Sequence, residues 1–285
     1  HMEYILHYGN MEPGIVLVID GSGSLEQDRS LLNIKEDHHP QIINHTHFSG
    51  KEVVSAYWFD GSKTFLIYRF SPSQALNDNK DSNPAGFLQS IGHYWEWASL
   101  YCCGSRNGAG KVMGLAALGD EINSHEQDIL TINNYGEIKL DFCKINKLYN
   151  EANIFVSDLS NSKHHQDLAK KVQLETENVI LKLLDILKKR FPSDNLYLSG
   201  GVALNVVANE RIKKSNLFKR IILNGSVEDN GTAIGAGIAA NASIGLDRKF
   251  SIINDYYGRS YSKEEIIESI ENFDLMYEEL AENEI

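Results

Sequence analysis

Two turns in which a short strand runs into glycine constrain the fold of this chain most. An apolar strand pattern at residues 196–198 leads into Gly200 and Gly201, and a second at 220–223 is followed by a turn that contains Gly231. Each turn opens a helix, so backbone N–H groups and the helix dipole converge where a Cβ would otherwise block approach. Two such turns in tandem predict a site for a nucleotide or another phosphorylated ligand, although one glycine turn alone is also typical of an ordinary connection.

The rest of the chain alternates between strand and helix patterns. Apolar or alternating runs predict strands, and periodicities of three and four predict helices. The predicted strands cover residues 14–20, 52–58, 64–70 and 137–140, and the predicted helices cover 86–103 and 168–190. Asp60 and Gly61 join two of these strands into a hairpin. This alternation favours an α/β fold with mixed sheets flanked by helices.

Composition excludes several classes of protein. The chain has 285 residues, of which 42% are hydrophobic, and no apolar run approaches the ~18 residues of a membrane span. A net charge of −12 argues against a surface that grips nucleic acid phosphates. Cys102, Cys103 and Cys143 lack the spacing of a zinc site, and the adjacent pair is expected on a buried helix face. We therefore expect a cytoplasmic protein with no membrane contact and no nucleic acid partner.

Three glycine-rich runs carry a resemblance to a known family. They read GKVMGLAA at 110–117, GGVALN at 200–205 and DNGTAIGA at 229–236, and an aromatic segment SIGHYWEW at 90–97 precedes them. In this order they resemble the O-carbamoyltransferases of the nodulation, tobramycin and cephamycin type. The resemblance implies an N-terminal domain similar to the tRNA threonylcarbamoyltransferase subunit, of the actin-like ATPase superfamily, followed by a YrdC-like domain.

That resemblance also implies a division of the chain. Residues 1–256 are expected to form the actin-like carbamoyl-transfer domain, incomplete at its N-terminus. Residues 257–285 are expected to form a connector toward a YrdC-like domain, the partner that this chain lacks. The sequence leaves the oligomeric state open, with a dimer as one possibility.

A divalent iron or manganese ion is the metal that the resemblance implies. Two histidines four residues apart and two aspartates hold it in the family, and imidazole with carboxylate suits such an ion. The corresponding positions are His1, Asp20 and Asp229, and the other histidine would precede the chain, so weak metal binding is expected. His1 is equally open to interpretation as a cloning remnant. Asp20 as a turn residue and Asp229 as a helix N-cap are the simpler alternatives.

The nucleotide contacts implied by the resemblance come from the glycine runs. Gly200, Gly201 and Asn205 would lie along the phosphates and ribose of ATP or carbamoyl-adenylate. Gly231 and Thr232 would approach the same phosphates from the other lobe.

Other polar residues have two interpretations each. Lys111 either neutralises a phosphate or is an exposed lysine at a helix start. Glu177, four residues after Gln173, either bonds the ribose hydroxyls or is a solvated helix carboxylate. His93 lies near the ligand cleft or, as the simpler alternative, packs in the core. A structural or incidental role in a loop is expected for four further histidines, His38, His39, His45 and His47.

The resemblance implies carbamoyl transfer to a hydroxyl of a small-molecule acceptor. The donor is carbamoyl-adenylate, which the YrdC-like domain makes from carbamoyl phosphate and ATP. Asp20 and Lys111 are the candidate catalytic residues, and the sequence identifies neither the base nor the acceptor. A tRNA threonylcarbamoyl transferase-like subunit and a non-catalytic nucleotide-binding module remain alternatives. We expect the chain alone to make no carbamoyl-adenylate and to transfer the carbamoyl group poorly.

Overall fold

The computed structural model describes residues 1–23, 37–46, 50–72, 88–120, 128–151, 163–245 and 258–280. The chain divides into two compact units, residues 1–251 and 252–285. Among the helices described, none is long and apolar enough to cross a membrane.

Eight strands and eight α-helices are described. The strands are β1 (Gly14–Ile19), β2 (His38–Thr46), β3 (Val54–Phe59), β4 (Thr64–Ser71), β5 (Leu130–Ile132), β6 (Ile138–Leu140), β7 (Asn195–Ser199) and β8 (Arg220–Ile222). The helices are α1 (Met2–Tyr8), α2 (Ile91–Cys103), α3 (Ala109–Leu115), α4 (Phe142–Glu151), α5 (Lys163–Arg190), α6 (Val206–Lys214), α7 (Asp229–Ser243) and α8 (Lys263–Asn272). Short 3₁₀ turns cover Ala116–Leu118 and Gly201–Leu204.

Six of the strands form one mixed sheet in the order β2-β4-β3-β1-β7-β8. β1, β3 and β4 pair antiparallel, whereas β7 runs parallel to β1 and β8 runs parallel to β7. The carboxyl ends of β1, β7 and β8 therefore meet at one edge of the sheet. In open α/β sheets this edge is where ligands bind.

The central strand β1 owes its position to its sequence, GIVLVI, in which five of six residues are buried. A strand covered on both faces reads as a continuous apolar run, because neither face can take polar side chains. α1 packs against β1 and β7, and α5 packs against α2 and α3. Leu183, Leu184 and Leu187 of α5 are fully buried. The α/β class with a mixed sheet flanked by helices is confirmed.

The predicted hairpin is confirmed, with β3 and β4 joined by a turn that Asp60 organises. Its Oδ1 accepts the backbone N–H of Ser62 and of Lys63, each at 2.8 Å. The helix predicted from residue 86 begins instead at Ile91. Ser90 stops it there as an N-cap, because its Oγ accepts the N–H of His93 at 3.0 Å. Residues 86 and 87 lie outside the described part of the chain.

One prediction was wrong at the histidine-rich segment. Residues 38–46 form the edge strand β2 rather than a loop. An edge strand tolerates Pro40, because the missing N–H can face away from the sheet. His39 packs edge-on against aromatic rings, at centroid distances of 5.7 Å to Trp58 and 4.9 Å to Phe191. The side chain of His45 and all of His47 lie outside the described residues.

The two adjacent cysteines lie on α2, as predicted. Cys102 is buried, whereas Cys103 is only half-buried.

In the second unit, α8 begins with a capping box. Ser262 Oγ accepts the N–H of Glu265 at 3.2 Å, and Glu265 Oε2 accepts the N–H of Ser262 at 2.8 Å. The prediction that this segment is a connector stays a prediction.

Candidate functional site

Asp20 marks the carboxyl end of β1 and the start of a tight turn. Its backbone N–H donates to the carbonyl of Val53 at 2.9 Å, and its Oδ1 accepts the N–H of Gly21 at 2.7 Å. Burial alone would raise the pKa of this carboxyl, but hydrogen bonds from His1 and from the backbone of Gly21 and Gly201 lower it further than burial raises it. Asp20 is therefore a turn residue and also a carboxylate held in its charged form.

Three residues from distant parts of the sequence meet beside this carboxylate. One ligand atom each of His1, Asp20 and Asp229 lie within 4.8 Å of one another. His1 Nε2 lies 3.5 Å from Asp20 Oδ2, and both side chains are half-buried. These are the three residues that the resemblance implied as metal ligands.

The hydrogen bond that His1 Nδ1 makes indicates that this ring nitrogen carries a proton. Nδ1 lies 3.1 Å from Ser199 Oγ, and the Ser199 hydroxyl donates to the carbonyl of Val227 at 3.0 Å. Because a hydroxyl has one proton, both bonds form when Nδ1–H donates to Ser199. Nε2, which lies 3.5 Å from Asp20 Oδ2, either donates a proton to that carboxylate or, once deprotonated, offers its lone pair to a metal. Metal-binding histidines are held in this way, and one imidazole with two carboxylates suits iron or manganese.

Asp229 lies at the start of α7 but does not cap it. The cap position falls on Glu228, one residue earlier, and Asp229 is the first helical residue, exposed to solvent. The simpler alternative for Asp229, a helix N-cap, was therefore wrong. Thr232 Oγ1 donates to the carbonyl of Asp229 at 2.5 Å, which fixes the first turn of the helix.

A cavity of about 520 Å³ opens next to Asp20. Its walls come from the β1 turn, the first turns of α2, the segment leading into α3, and the turn after β7. The lining residues are Asp20, Gly21, Gly92, His93, Trp95, Glu96, Arg106, Asn107, Ala109, Gly110, Met113, Gly201, Val202, Leu204 and Asn205. A cavity of this size accommodates a nucleotide-sized molecule.

The wall that α2 contributes depends on close contact with the β1 turn. Ser90 Oγ donates to the carbonyl of Gly21 at 2.9 Å. A Cβ on Gly92 would lie 2.4 Å from the Cα of Gly21, so only glycine fits there. The Ser-Ile-Gly motif thus attaches the helix to the Asp20 turn.

His93 lines the cavity with its ring in a defined state. Its Nδ1 accepts the N–H of Leu88 at 2.5 Å, and its Nε2 lies 3.6 Å from Glu96 Oε2. Burial lowers the pKa of His93 more than Glu96 raises it. The ring is therefore neutral with its proton on Nε2, and it serves as a hydrogen-bond donor rather than a base. The simpler alternative, a packed core histidine, was wrong.

The two glycines after β7 serve different purposes. Gly200 has φ +90°, and a Cβ there would lie 2.2 Å from the carbonyl oxygen of Ile19. Gly201 lines the cavity, and its Cβ would meet Asp20 Oδ1 at 3.3 Å. Gly200 is thus required by the fold, and Gly201 faces the space where a ligand would lie.

Three other predicted residues lie outside the lining of this cavity. Gly231 is buried, and its Cβ would meet Ser226 O at 2.0 Å and the Tyr4 ring at 2.7 Å. Lys111 is exposed on α3, whereas Gly110 and Met113 of the same run line the cavity. Thr232 is half-buried at the start of α7. Phosphate contacts by these residues stay predictions.

Glu177 is a buried, paired carboxylate rather than a solvated one, so that alternative was wrong. It is 5% exposed, its Oε2 accepts from Arg211 at 2.7 Å, and its Oε1 accepts from Gln173 Nε2 at 2.6 Å. Gln173 in turn pairs with Asn205, which lines the cavity.

Sequence reasoning missed several lining residues. Gly92, Trp95 and Glu96 lie within the aromatic segment, and Arg106 lies in the loop after it. The available signal was the helix start at Ser90, because the residues in the first turn of a helix lie beside any ligand that its N-terminus faces.

The comparison with protein families decides the identity of the chain. A sequence model of the family described as "Carbamoyltransferase N-terminus" matches residues 12–238, which is more than half of the chain. The chain belongs to the carbamoyltransferase family. The matched region contains Asp20, the whole cavity lining and Asp229.

Relatives of this carbamoyltransferase-family chain come from bacteria and archaea. Nodulation protein NolO of Bradyrhizobium diazoefficiens is 27% identical over 164 residues, 55% of this chain and 30% of the relative. Uncharacterized protein MJ1051 of Methanocaldococcus jannaschii is 31% identical over 176 residues, which cover 57% of this chain and 32% of the relative. Uncharacterized protein sll1178 of a Synechocystis strain is 32% identical over 110 residues, which cover 37% of this chain and 18% of the relative. The chain therefore spans less than a third of the length of each relative.

Proposed function

We propose that this chain is the acceptor domain of a carbamoyltransferase, which transfers a carbamoyl group from carbamoyl-adenylate to a hydroxyl of a small molecule. The observation that carries the proposal is the position of Asp20, which belongs both to the cavity lining and to the cluster with His1 and Asp229. A nucleotide in the cavity would place its phosphate end beside that cluster. The family membership supplies the type of reaction.

An actin-like arrangement of the domain is part of the proposal. Three antiparallel strands, β1, β3 and β4, are extended by two parallel strands, β7 and β8, and the candidate site lies at their common edge. Such an edge suits nucleotide binding between lobes. We also propose that carbamoyl-adenylate is made by a YrdC-like domain of a longer protein.

The donor atoms present fit a divalent metal. His1, Asp20 and Asp229 would hold the ion, and it would supply Lewis-acid polarisation of an anhydride oxygen. Without a cation, the two carboxylates would repel each other, and a protonated His1 would have to offset their charge. The Ser199 hydroxyl orients His1, and the Gly21 N–H orients Asp20.

The residues around the cavity position the reactants. The acceptor oxygen attacks the carbamoyl carbon, the bond to the phosphate oxygen breaks, and AMP leaves while the acceptor hydroxyl loses its proton to solvent or a base. His93 Nε2–H would donate to an oxygen of the bound ligand. Arg106, which pairs with Glu96 at 3.2 Å at the cavity wall, would offset phosphate charge.

Consumption of synthetic carbamoyl-adenylate tests this function. We expect slow, acceptor-dependent loss of the adenylate in the presence of Mn²⁺ when a panel of polyhydroxylated small molecules is supplied, with the carbamate ester detected by mass spectrometry. Asp20→Asn should abolish it. Asp185→Asn, at a carboxylate paired with Lys189 on the exposed side of α5, is the matched control and should leave it unchanged.

Three outcomes would contradict the proposal. Transfer to tRNA and to no small molecule would favour the threonylcarbamoyl alternative. Binding of the adenylate with no transfer to any acceptor would favour a nucleotide-binding module without this chemistry. The same slow loss in the Asp20→Asn protein would overturn the role proposed for Asp20.

A further inference from the structure

A hydrogen-bonded chain of four side chains links the helix pair α5 and α6 to the cavity. Arg211 Nη1 donates to Glu177 Oε2 at 2.7 Å, and Gln173 Nε2 donates to Glu177 Oε1 at 2.6 Å. Gln173 and Asn205 then form a reciprocal pair, with 3.2 Å from Gln173 Nε2 to Asn205 Oδ1 and 3.0 Å from Asn205 Nδ2 to Gln173 Oε1. Gln173, Glu177 and Asn205 are each more than nine-tenths buried.

The direction of every bond in this chain is fixed by its ends. A guanidinium only donates and a carboxylate only accepts, so Glu177 requires the amide nitrogen of Gln173 on its side. The oxygen of Gln173 must then accept from Asn205. At the other end, Asn205 Oδ1 also accepts the backbone N–H of Ala208 at 3.0 Å as the N-cap of α6. Both ends demand the same orientation of the Asn205 amide, so neither amide can flip without breaking a buried hydrogen bond.

Asn205 is left with one hydrogen-bonding function. Its oxygen accepts from Ala208 and Gln173, and one of its two amide hydrogens donates to Gln173. Among the residues that the structure describes, the second amide hydrogen has no protein partner, and Asn205 lines the cavity. A buried donor of this kind costs free energy until an acceptor satisfies it.

We propose that Gln173 and Glu177 are positioning residues that fix Asn205 as a hydrogen-bond donor to an acceptor oxygen of the ligand bound in the cavity. Glu177 then acts through Gln173 and does not contact the ligand. The inference rests on the proposed function, because it takes that ligand to be a nucleotide.

Calorimetric titration of ATP into four proteins tests the proposal: the wild type, Gln173→Met, Asn205→Ser and the double variant. Serine keeps the N-cap of α6 but removes the amide donor. We expect each single variant to weaken ATP binding by about 3- to 10-fold, the worth of one uncharged hydrogen bond. The double variant should bind no more weakly than Asn205→Ser, because Gln173 acts only through Asn205.

A charge-neutralising variant tests the role of Glu177. In Glu177→Gln, Arg211 donates to the oxygen of the new amide. The nitrogen of the new amide then faces the nitrogen of Gln173, so the orientation of the Gln173 amide is no longer fixed from this end. ATP binding should weaken by a similar factor. Glu210→Gln is the matched control, since Glu210 pairs with Lys214 on the exposed side of α6, and it should bind as the wild type does.

The outcomes separate this inference from the proposed function. If the wild type binds no ATP, both are refuted. If the wild type binds ATP and Asn205→Ser binds equally well, the inference alone is overturned. Equal further weakening by Gln173→Met in the Asn205→Ser background would also overturn it, because Gln173 would then act independently of Asn205. If Asn205→Ser fails to fold, Asn205→Asp keeps the cap without the donor, and adenosine as an uncharged probe should bind it more weakly than the wild type.

Discussion

Gly200→Ala is expected to destabilise the fold strongly, because two independent features of the structure require glycine at this position. The residue has φ +90° and ψ 161°, a backbone conformation that is essentially restricted to glycine. A Cβ would also lie 2.2 Å from the carbonyl oxygen and 2.6 Å from the carbonyl carbon of Ile19. Both atoms belong to the backbone of β1, so no side chain can rotate away.

The size of the effect follows from these two features. Backbone strain of this kind costs about 1–3 kcal/mol. Displacing β1 in a packed sheet costs roughly another 1–3 kcal/mol. We therefore expect Gly200→Ala to lower the free energy of unfolding by about 2–6 kcal/mol.

Gly201→Ala is the matched comparison one residue later. Its Cβ would meet only Asp20 Oδ1, at 3.3 Å, and would project toward the cavity. We expect a change of less than about 1 kcal/mol in the free energy of unfolding. The bulkier Gly201→Val should instead block the approach of a phosphate and weaken ATP binding while the fold remains intact.

Urea unfolding followed by tryptophan fluorescence measures both effects, since Trp95 and Trp97 are buried on α2. Equal stability losses for Gly200→Ala and Gly201→Ala would refute the distinction between a structural and a ligand-facing glycine. Unchanged ATP affinity in Gly201→Val would refute the placement of the phosphates beside Gly201.

Three further predictions concern carboxylates. Glu175 is buried and accepts hydrogen bonds from Tyr94, Lys171 and two backbone N–H groups. Glu175→Ala should therefore lower the free energy of unfolding in urea by about 3–5 kcal/mol, and a loss below about 1 kcal/mol would contradict this prediction. Because the folded-state pKa of Asp20 lies below its usual value, the charged form of Asp20 stabilises the fold at neutral pH. The difference in melting temperature between the wild type and Asp20→Asn should therefore narrow as the pH falls through that pKa. A widening difference would contradict this prediction. Asp229→Ala should lower bound manganese by about tenfold or more in elemental analysis, whereas the adjacent exposed Glu228→Ala should not, and equal manganese content in both would return Asp229 to a purely structural role.

Much of the sheet could be predicted because its signals are local. β1 and β7 are short apolar runs that end at Ile19 and at Ser199, and glycine turns follow them. The hairpin turn at Asp60 is equally local, since the carboxylate bonds residues two and three positions on. β2 gave no such signal, because Pro40 and its histidines are typical of a loop. Its strand conformation comes from pairing with β4, which is a tertiary effect.

The candidate site was harder to predict from the sequence, because it also depends on tertiary contacts. The meeting of His1, Asp20 and Asp229 joins residues up to 228 positions apart (229 − 1), and only the family resemblance indicated it. The burial of Glu177 depends on Arg211, 34 positions away, whose partner no local pattern identifies. The resemblance selected Glu177 and Asn205, but their hydrogen-bond directions required the packed structure.

A crystal structure of the protein with Mn²⁺ and AMP, with anomalous diffraction data collected at the manganese edge, tests the proposed site most directly. We predict an anomalous peak within bonding distance of His1 Nε2 and of the carboxylates of Asp20 and Asp229. We also predict nucleotide density in the cavity lined by Gly201 and Asn205, with the phosphate toward the peak. Manganese bound away from these three residues, or AMP bound outside this cavity, would contradict these predictions.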